Sequence, residues 1–233
     1  SVRQQLLADL SDELQGLAAQ GLLRRLTSLE AVRGSLVTID GRDLVNWCSN
    51  DYLGLSQHAA MAEAASRAAV DWGLGARASR LLSGTSRWHT RLEEGLAAWF
   101  GAEAACVYPS GYQANLGTLG ALLDSRDAVF VDRLAHASLV DAARATRAAL
   151  RVFHHNDPEH LRGLLARATG ARRRVVVTEG LFSMDGDPAP LGSLADVADA
   201  QGATIYLDDA HGAFVLGPSG RGAPEAAGLP HER

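Results

Sequence analysis

The chain has no lysine. All 22 basic residues among its 233 are arginine, so no side chain offers a primary amine for covalent chemistry. Only two cysteines occur, Cys48 and Cys106, which excludes a disulfide framework or a paired-thiol metal site and fits a reducing, cytoplasmic setting. No apolar run approaches membrane-spanning length, and the N-terminus is polar and amphipathic rather than signal-like, so no membrane partner is expected. The net charge of −5 leaves no basic footprint for nucleic acid. Internal repeats and low-complexity segments are also missing. What remains is a chain of 47% apolar and 21% charged residues, enough to bury a sizeable core as one large domain or as one plus a small appendage.

The apolar pattern orders that core. Leu6, Leu10, Leu14 and Leu17 recur at helical spacing and predict an amphipathic helix over 2–26. "GSLVTIDGRDLVNWC" alternates around Asp40-Gly41 and predicts a hairpin. An Ala-rich helix is expected over 58–72, followed by a loop broken by Gly73 and Gly75. Beyond residue 87, helix and strand alternate: helix 88–100, strand 104–108, helix 112–123, strand 128–131, helix 137–148 and strand 151–154. Helix 158–168, strand 174–178, helix 191–201 and strand 203–207 complete the series. Such alternation predicts an α/β fold, a mostly parallel sheet joined by right-handed crossovers with helices on both faces. The expected division is an N-terminal helix and hairpin segment, 1–56, and a larger domain over 57–233.

Polar residues gather where strands hand over to helices, the place where ligands sit in such sheets. In "YLDDAHGAFVLG" (206–217) a strand ends in Asp208 and Asp209, with His211 close behind. "YPSGYQAN" (108–115) opens a helix on Ser110, Gly111 and Tyr112, either an ordinary serine cap or an anion site built on free amides. "RLAHASL" (133–139) sets His136 after a strand, and "TEGLFSMDGDPAPL" (178–191) carries Glu179, Ser183, Asp185 and Asp187. Asp208, Asp209 and His211 with His136 or His154 are hard metal ligands, but no His-x-x-x-His or paired-cysteine spacing supports a metal-dependent hydrolase. No G-x-S-x-G elbow supports a serine hydrolase. A phosphate site, a flat imidazole and a strand-end carboxylate together suit a phosphorylated heteroaromatic cofactor, and pyridoxal 5'-phosphate (PLP) fits.

"NDYLGLS" (50–56), "SRLLSGTSRWHTRLE" (79–93), "SGYQAN" (110–115), "RLAHASL", "HND" (155–157), "TEGLFSMDGDPAPL" and "DDAHGAFVLGPSGRG" (208–222) together resemble the α-oxoamine synthases. The resemblance runs from about Arg24 to the end. It implies the large domain of a fold-type-I PLP-dependent transferase and an acyltransferase that joins an amino acid to an acyl thioester with loss of carbon dioxide. It assigns Asp208 to the pyridinium nitrogen, His136 to the ring face, and His211 and Ser183 to the neighbourhood of the phenolic oxygen. Ser110, Gly111 and Tyr112 would hold the phosphate side. Arg24 and Asn50 match positions near the acyl substrate, and Ser79 the amino-acid side. Asp209 reads as structural, Asp185 and Asp187 as turn-forming, and Glu179 as either. The branch implied condenses L-alanine with pimeloyl-CoA or a pimeloyl carrier protein, with 5-aminolevulinate synthase and 2-amino-3-ketobutyrate CoA ligase types as alternatives. Members are homodimers with shared active sites. The family's cofactor lysine has no counterpart here. The chain is therefore expected to be an N-terminal portion, incomplete at the C-terminus, rather than a lysine-lacking partner subunit.

Overall fold

The computed structural model describes residues 1–230. The chain forms two compact units, Ser1–Ser66 and a second beginning at Arg67. In the first, α1 (Val2–Ala19) starts in a capping box between Ser1 and Gln4. It stops short of the expected residue 26 because Gly21 turns left-handed (φ 69°) and Leu22 N–H donates back to the Leu17 carbonyl at 2.8 Å. β1 (Ala31–Arg33), β2 (Leu36–Ile39) and β3 (Arg42–Val45) form an antiparallel meander. The Ile39–Arg42 pairing brackets Asp40 (φ 49°) and Gly41 (φ 69°), the two left-handed residues that a type I′ turn requires. β1, three residues long, was too short for the alternation to register.

The division falls inside α2 (Ala59–Trp72). The second unit holds α3 (Arg87–Phe100), α4 (Gly111–Leu122), β4 (Ala128–Asp132), α5 (Ala137–Ala145), β5 (Ala149–Phe153) and α6 (Pro158–Ala166), then β6 (Arg174–Glu179), α7 (Leu191–Ala200), β7 (Thr204–Asp208) and α8 (Ala223–Ala226). β4 to β7 form a wholly parallel sheet in the order β5-β4-β6-β7. Period-two alternation splits its side chains between two cores. Phe130, Phe153 and Val176 meet Leu161 and Leu165 of α6 and Leu194 and Val197 of α7 on one face. Val129, Val131, Val175 and Val177 meet Leu119 of α4 and Leu139, Ala142 and Ala143 of α5 on the other. Burial of each large side chain contributes about 1.5–3 kcal/mol, which fixes strand order and helix faces together.

Two sequence expectations are corrected here. α5 ends at Ala145 rather than at 148, since the Thr146 hydroxyl donates to the Ala143 carbonyl (2.7 Å) and Arg147 turns left-handed (φ 61°). Residues 104–108 are not a strand. The Val107 backbone finds side chains instead: its N–H donates to Glu93 Oε1 (2.8 Å) and its carbonyl accepts from Arg80 Nη1 (3.0 Å).

Candidate functional site

The strand order reverses between β4 and β6, because the chain leaves β4 for β5 on one side and then crosses back to β6 and β7 on the other. The carboxyl ends of strands at such a switch point form a crevice that suits ligands. Asp208 is the last residue of β7, its backbone registered beside Glu179, the last of β6. His136 follows β4 and caps α5: its Nδ1 accepts from Ser138 N–H at 3.2 Å, and its own backbone N–H donates to Glu179 Oε1 at 2.5 Å. The ring itself is exposed. With Nδ1 accepting, Nε2 is the ring nitrogen that carries a proton.

Asp208 is half-buried and held at both oxygens. Oδ2 accepts from Asn115 Nδ2 (2.8 Å) and Oδ1 from Ala210 N–H (3.0 Å). Burial raises the Glu179 carboxyl, opposed by the His136 N–H; the Asp208 charge raises it further while His136 and His211 lower it. The Glu179 carboxyl thus feels Asp208, His136 and His211, and the Asp209 carboxyl feels Asp208 and His211 as well. Asp209 points elsewhere: its Oδ2 accepts from Ala223 N–H (2.9 Å) at the start of α8, and burial raises its carboxyl as well.

Ser110 caps α4 through the Gln113 N–H (3.2 Å), and Tyr112 donates its hydroxyl to Asp141 of α5 (2.9 Å). Gly111 has open space where a Cβ would stand. Ser183 is exposed on the turn after β6, closed by the Leu181–Pro188 bridge and by Phe182 N–H donating to the Asp187 carbonyl (3.0 Å). Ser79 precedes a π-helical turn, Arg80–Gly84, in which Arg80 grips Glu93 in a bidentate pair (2.5 and 2.9 Å). Arg24 and Asn50 lie in the first unit, where Asn50 accepts from the Tyr52 hydroxyl (3.4 Å).

Sequence reasoning passed over three groups that complete this arrangement: Asn115, Ser138 and Tyr206. Asn115 sits inside "SGYQAN", one turn into α4, and its spacing from Gly111 was the available signal. A second unforeseen cluster joins His155 to Asp132 (2.9 Å) and Asp187 (2.8 Å). A cavity of about 580 Å³ lined by Phe100, Leu191, Ile205, Leu207, Pro224 and Leu229 lies elsewhere and is walled by none of the strand-end polar groups. Among the described residues, no three His, Cys, Asp or Glu side chains converge as metal ligands, and no helix is long and apolar enough to cross a membrane.

Residues 42–230 match the family described as aminotransferase class I and II. The chain belongs to that family. It is 51% identical over 217 residues to an 8-amino-7-oxononanoate synthase of Anaeromyxobacter sp. (strain K), covering 93% of this chain and 54% of that protein. It is 48% identical to the enzyme of the same name from Geobacter metallireducens, covering 94% and 56%. Among solved structures, a serine palmitoyltransferase from S. paucimobilis with a bound PLP–myriocin aldimine superposes with a TM-score of 0.88 at 34% identity, covering 95% of this chain and 56% of that one. An 8-amino-7-oxononanoate synthase from Francisella tularensis gives 0.66 at 26% identity, covering 78% and 50%. The chain spans about half the length of the curated relatives it matches. Its α/β architecture, with a parallel sheet between helical layers, is that of the large domain of fold-type-I transferases.

Proposed function

We propose that this chain is part of an α-oxoamine synthase that condenses L-alanine with a pimeloyl thioester, CoA- or carrier-protein-bound, to give 8-amino-7-oxononanoate for biotin synthesis. The observation that carries the reading is Asp208: a half-buried strand-end carboxylate fixed at both oxygens, beside an exposed imidazole capped at Nδ1. The donor chemistry fits PLP. When bound, PLP supplies an electron sink for carbanion chemistry at the amino acid's α-carbon.

This chain's own residues would hold and orient it. Asp208 would face the ring nitrogen and stabilise its positive charge. His136 would stack on the ring, the flat imidazole suiting an electron-poor heterocycle. Ser110, Gly111 and Tyr112 would present the start of α4 to the phosphate, where helix amides favour an anion. His211 and Ser183 would hydrogen-bond near the phenolic oxygen. Arg24 and Asn50 would meet the acyl substrate and Ser79 the amino acid. The protein would work in the cytoplasm as a homodimer with shared active sites.

The test uses the full-length protein. Asp208→Asn should lower product formation from L-alanine and pimeloyl-CoA about a hundredfold or more, the loss expected when roughly 3 kcal/mol of charge stabilisation is removed, with Tm unchanged. Asp209→Asn should retain most of its turnover, and His211→Ala should fall between. If Asp209→Asn is the dead variant and Asp208→Asn is active, the carboxylate is misassigned by one residue. If all three remain active, the reading is wrong.

A further inference from the structure

Asn115 is buried and fully committed. One Nδ2 hydrogen goes to Asp208 Oδ2 (2.8 Å) and the other to Ser138 Oγ (2.9 Å), while Oδ1 accepts from the Tyr206 hydroxyl (2.8 Å). An amide has two donors and one carbonyl, and here each has a partner of the matching kind. The Asp208 carboxylate settles which way the amide faces, since it can only accept and a flipped amide would set an oxygen against it. Ser138, spending its oxygen as acceptor to Asn115, turns its hydroxyl hydrogen to His136 Nδ1 at 2.7 Å. Three elements meet at this amide: α4, the start of α5 and the end of β7.

We infer that Asn115 is a positioning residue: it fixes the Asp208 carboxylate directly and the His136 imidazole through Ser138, so that the two groups hold one relative geometry. The inference rests on the functional reading above, because it is the proposed cofactor ring that these two groups would contact from its edge and its face. Charge-assisted hydrogen bonds of this kind are stronger than neutral ones and lose their orientation when the donor is removed. A group serving only to pack the core would have no reason to satisfy a carboxylate and a serine with the same nitrogen. Leucine would fill the volume equally well.

The experiment is run on the full-length protein with PLP. Asn115→Ala should weaken PLP binding about tenfold or more, the scale of a lost hydrogen bond to a charged group. It should also move the pH midpoint of the bound cofactor's visible absorbance, a change that loosened packing alone would not produce. Tyr206→Phe, which removes only the hydroxyl that anchors the amide oxygen, should give a smaller shift in the same direction and covers the case in which Asn115→Ala fails to fold. Asn115→Ala and Ser138→Ala should be non-additive in PLP affinity, since both cut the same path to His136. Wild-type PLP affinity and absorbance profile in both Asn115→Ala and Tyr206→Phe would overturn the inference. Crystal structures of the PLP-free proteins separate this result from failure of the functional reading: Asp208 and His136 should each hold one rotamer in the wild type and several in Asn115→Ala. If the wild type takes up no PLP the functional reading falls, and unchanged Asp208 and His136 rotamers in Asn115→Ala sink the positioning role.

Discussion

Asp208 and Asp209 are neighbours with opposite employment, and period-two geometry separates them. At the end of β7 the Asp208 carboxylate accepts from Asn115 of α4, while that of Asp209, the next residue, accepts from Ala223 N–H at the start of α8. The sequence carried that distinction, because a strand ending in two acids must point them apart. It did not show what receives Asp209. Its carboxylate occupies space left open by Gly180, Gly212 and Gly222, where a Cβ would collide with it. Gly222 is also left-handed at φ 90°. Gly222→Ala is therefore expected to cost about 2–4 kcal/mol, strain and collision together, in a denaturant melt of the full-length protein. Asp209→Asn behaves differently. Burial raises the Asp209 carboxyl, so the folded state holds that proton more tightly than the unfolded state, and stability falls as pH climbs out of the carboxylate range. At neutral pH the charge is thus unfavourable. The neutral amide, still accepting from Ala223 N–H, should leave stability within about 1 kcal/mol of the wild type.

Turns and helix starts followed local chemistry and could be read ahead. Asp40-Gly41 could make a tight hairpin because both residues tolerate positive φ, and Ser110 could cap α4 with its hydroxyl. The segment over 104–108 could not be read that way. A strand needs a neighbour to take its amides, and an apolar run carries no record of whether one arrives. Here the Arg80–Glu93 pair takes them, tying the turn that carries Ser79 to the Val107 backbone. Gly84 makes the turn feasible, since a Cβ there would run into the Ala78 and Ser79 carbonyls. The Arg80 hydrogen bond, with help from Val107 N–H, holds the Glu93 carboxyl down at about 2. A depressed carboxyl contributes stability above its unfolded value of 4.5 and loses it only as pH falls toward the folded value. Val107 N–H should therefore resist hydrogen exchange at about pH 4 as well as at neutrality. Glu93→Ala should abolish that protection and, by releasing the Arg80–Gly84 turn, speed limited proteolysis at the already exposed Leu81-Leu82. Unchanged Val107 exchange in the variant would show that the pair does not hold the segment.

At the scale of the molecule, hydrophobic periodicity revealed a parallel sheet clad on both faces, because Val-rich strands between amphipathic helices have few other ways to bury themselves. Long-range polar pairings left no such trace. "HND" stood out as a motif without a role until the fold set His155 between Asp132 at the end of β4 and Asp187 in the loop after β6. With a carboxylate on each ring nitrogen, both nitrogens must donate, which only the imidazolium can do. Asp132 is fully buried and also accepts from the Leu134 and Asn156 backbone N–H groups; Asp187 also accepts from Asn156 Nδ2. Phe182 closes the site edge-on at 4.4 Å. Burial works against the charge on His155, but the hydrogen bonds to Asp132 and Asp187 outweigh it and raise its pKa above the ordinary 6.5. A base whose folded pKa is raised contributes stability fully below the unfolded value and loses it as pH rises through the folded value. The clamp ties the Ser183 loop to two strand ends, so its release should loosen the loop and the sheet edge together. Thermal melts of the full-length protein between about pH 6 and about pH 9 should show Tm falling for the wild type. His155→Gln should start a few degrees lower at the acid end and descend less, because it has no proton to lose and leaves Asp132 without its cation. Parallel pH profiles for the two proteins would mean that His155 carries no charge in the fold and that the two carboxylates are held by their other donors alone, the Leu134 and Asn156 N–H groups for Asp132 and Asn156 Nδ2 for Asp187.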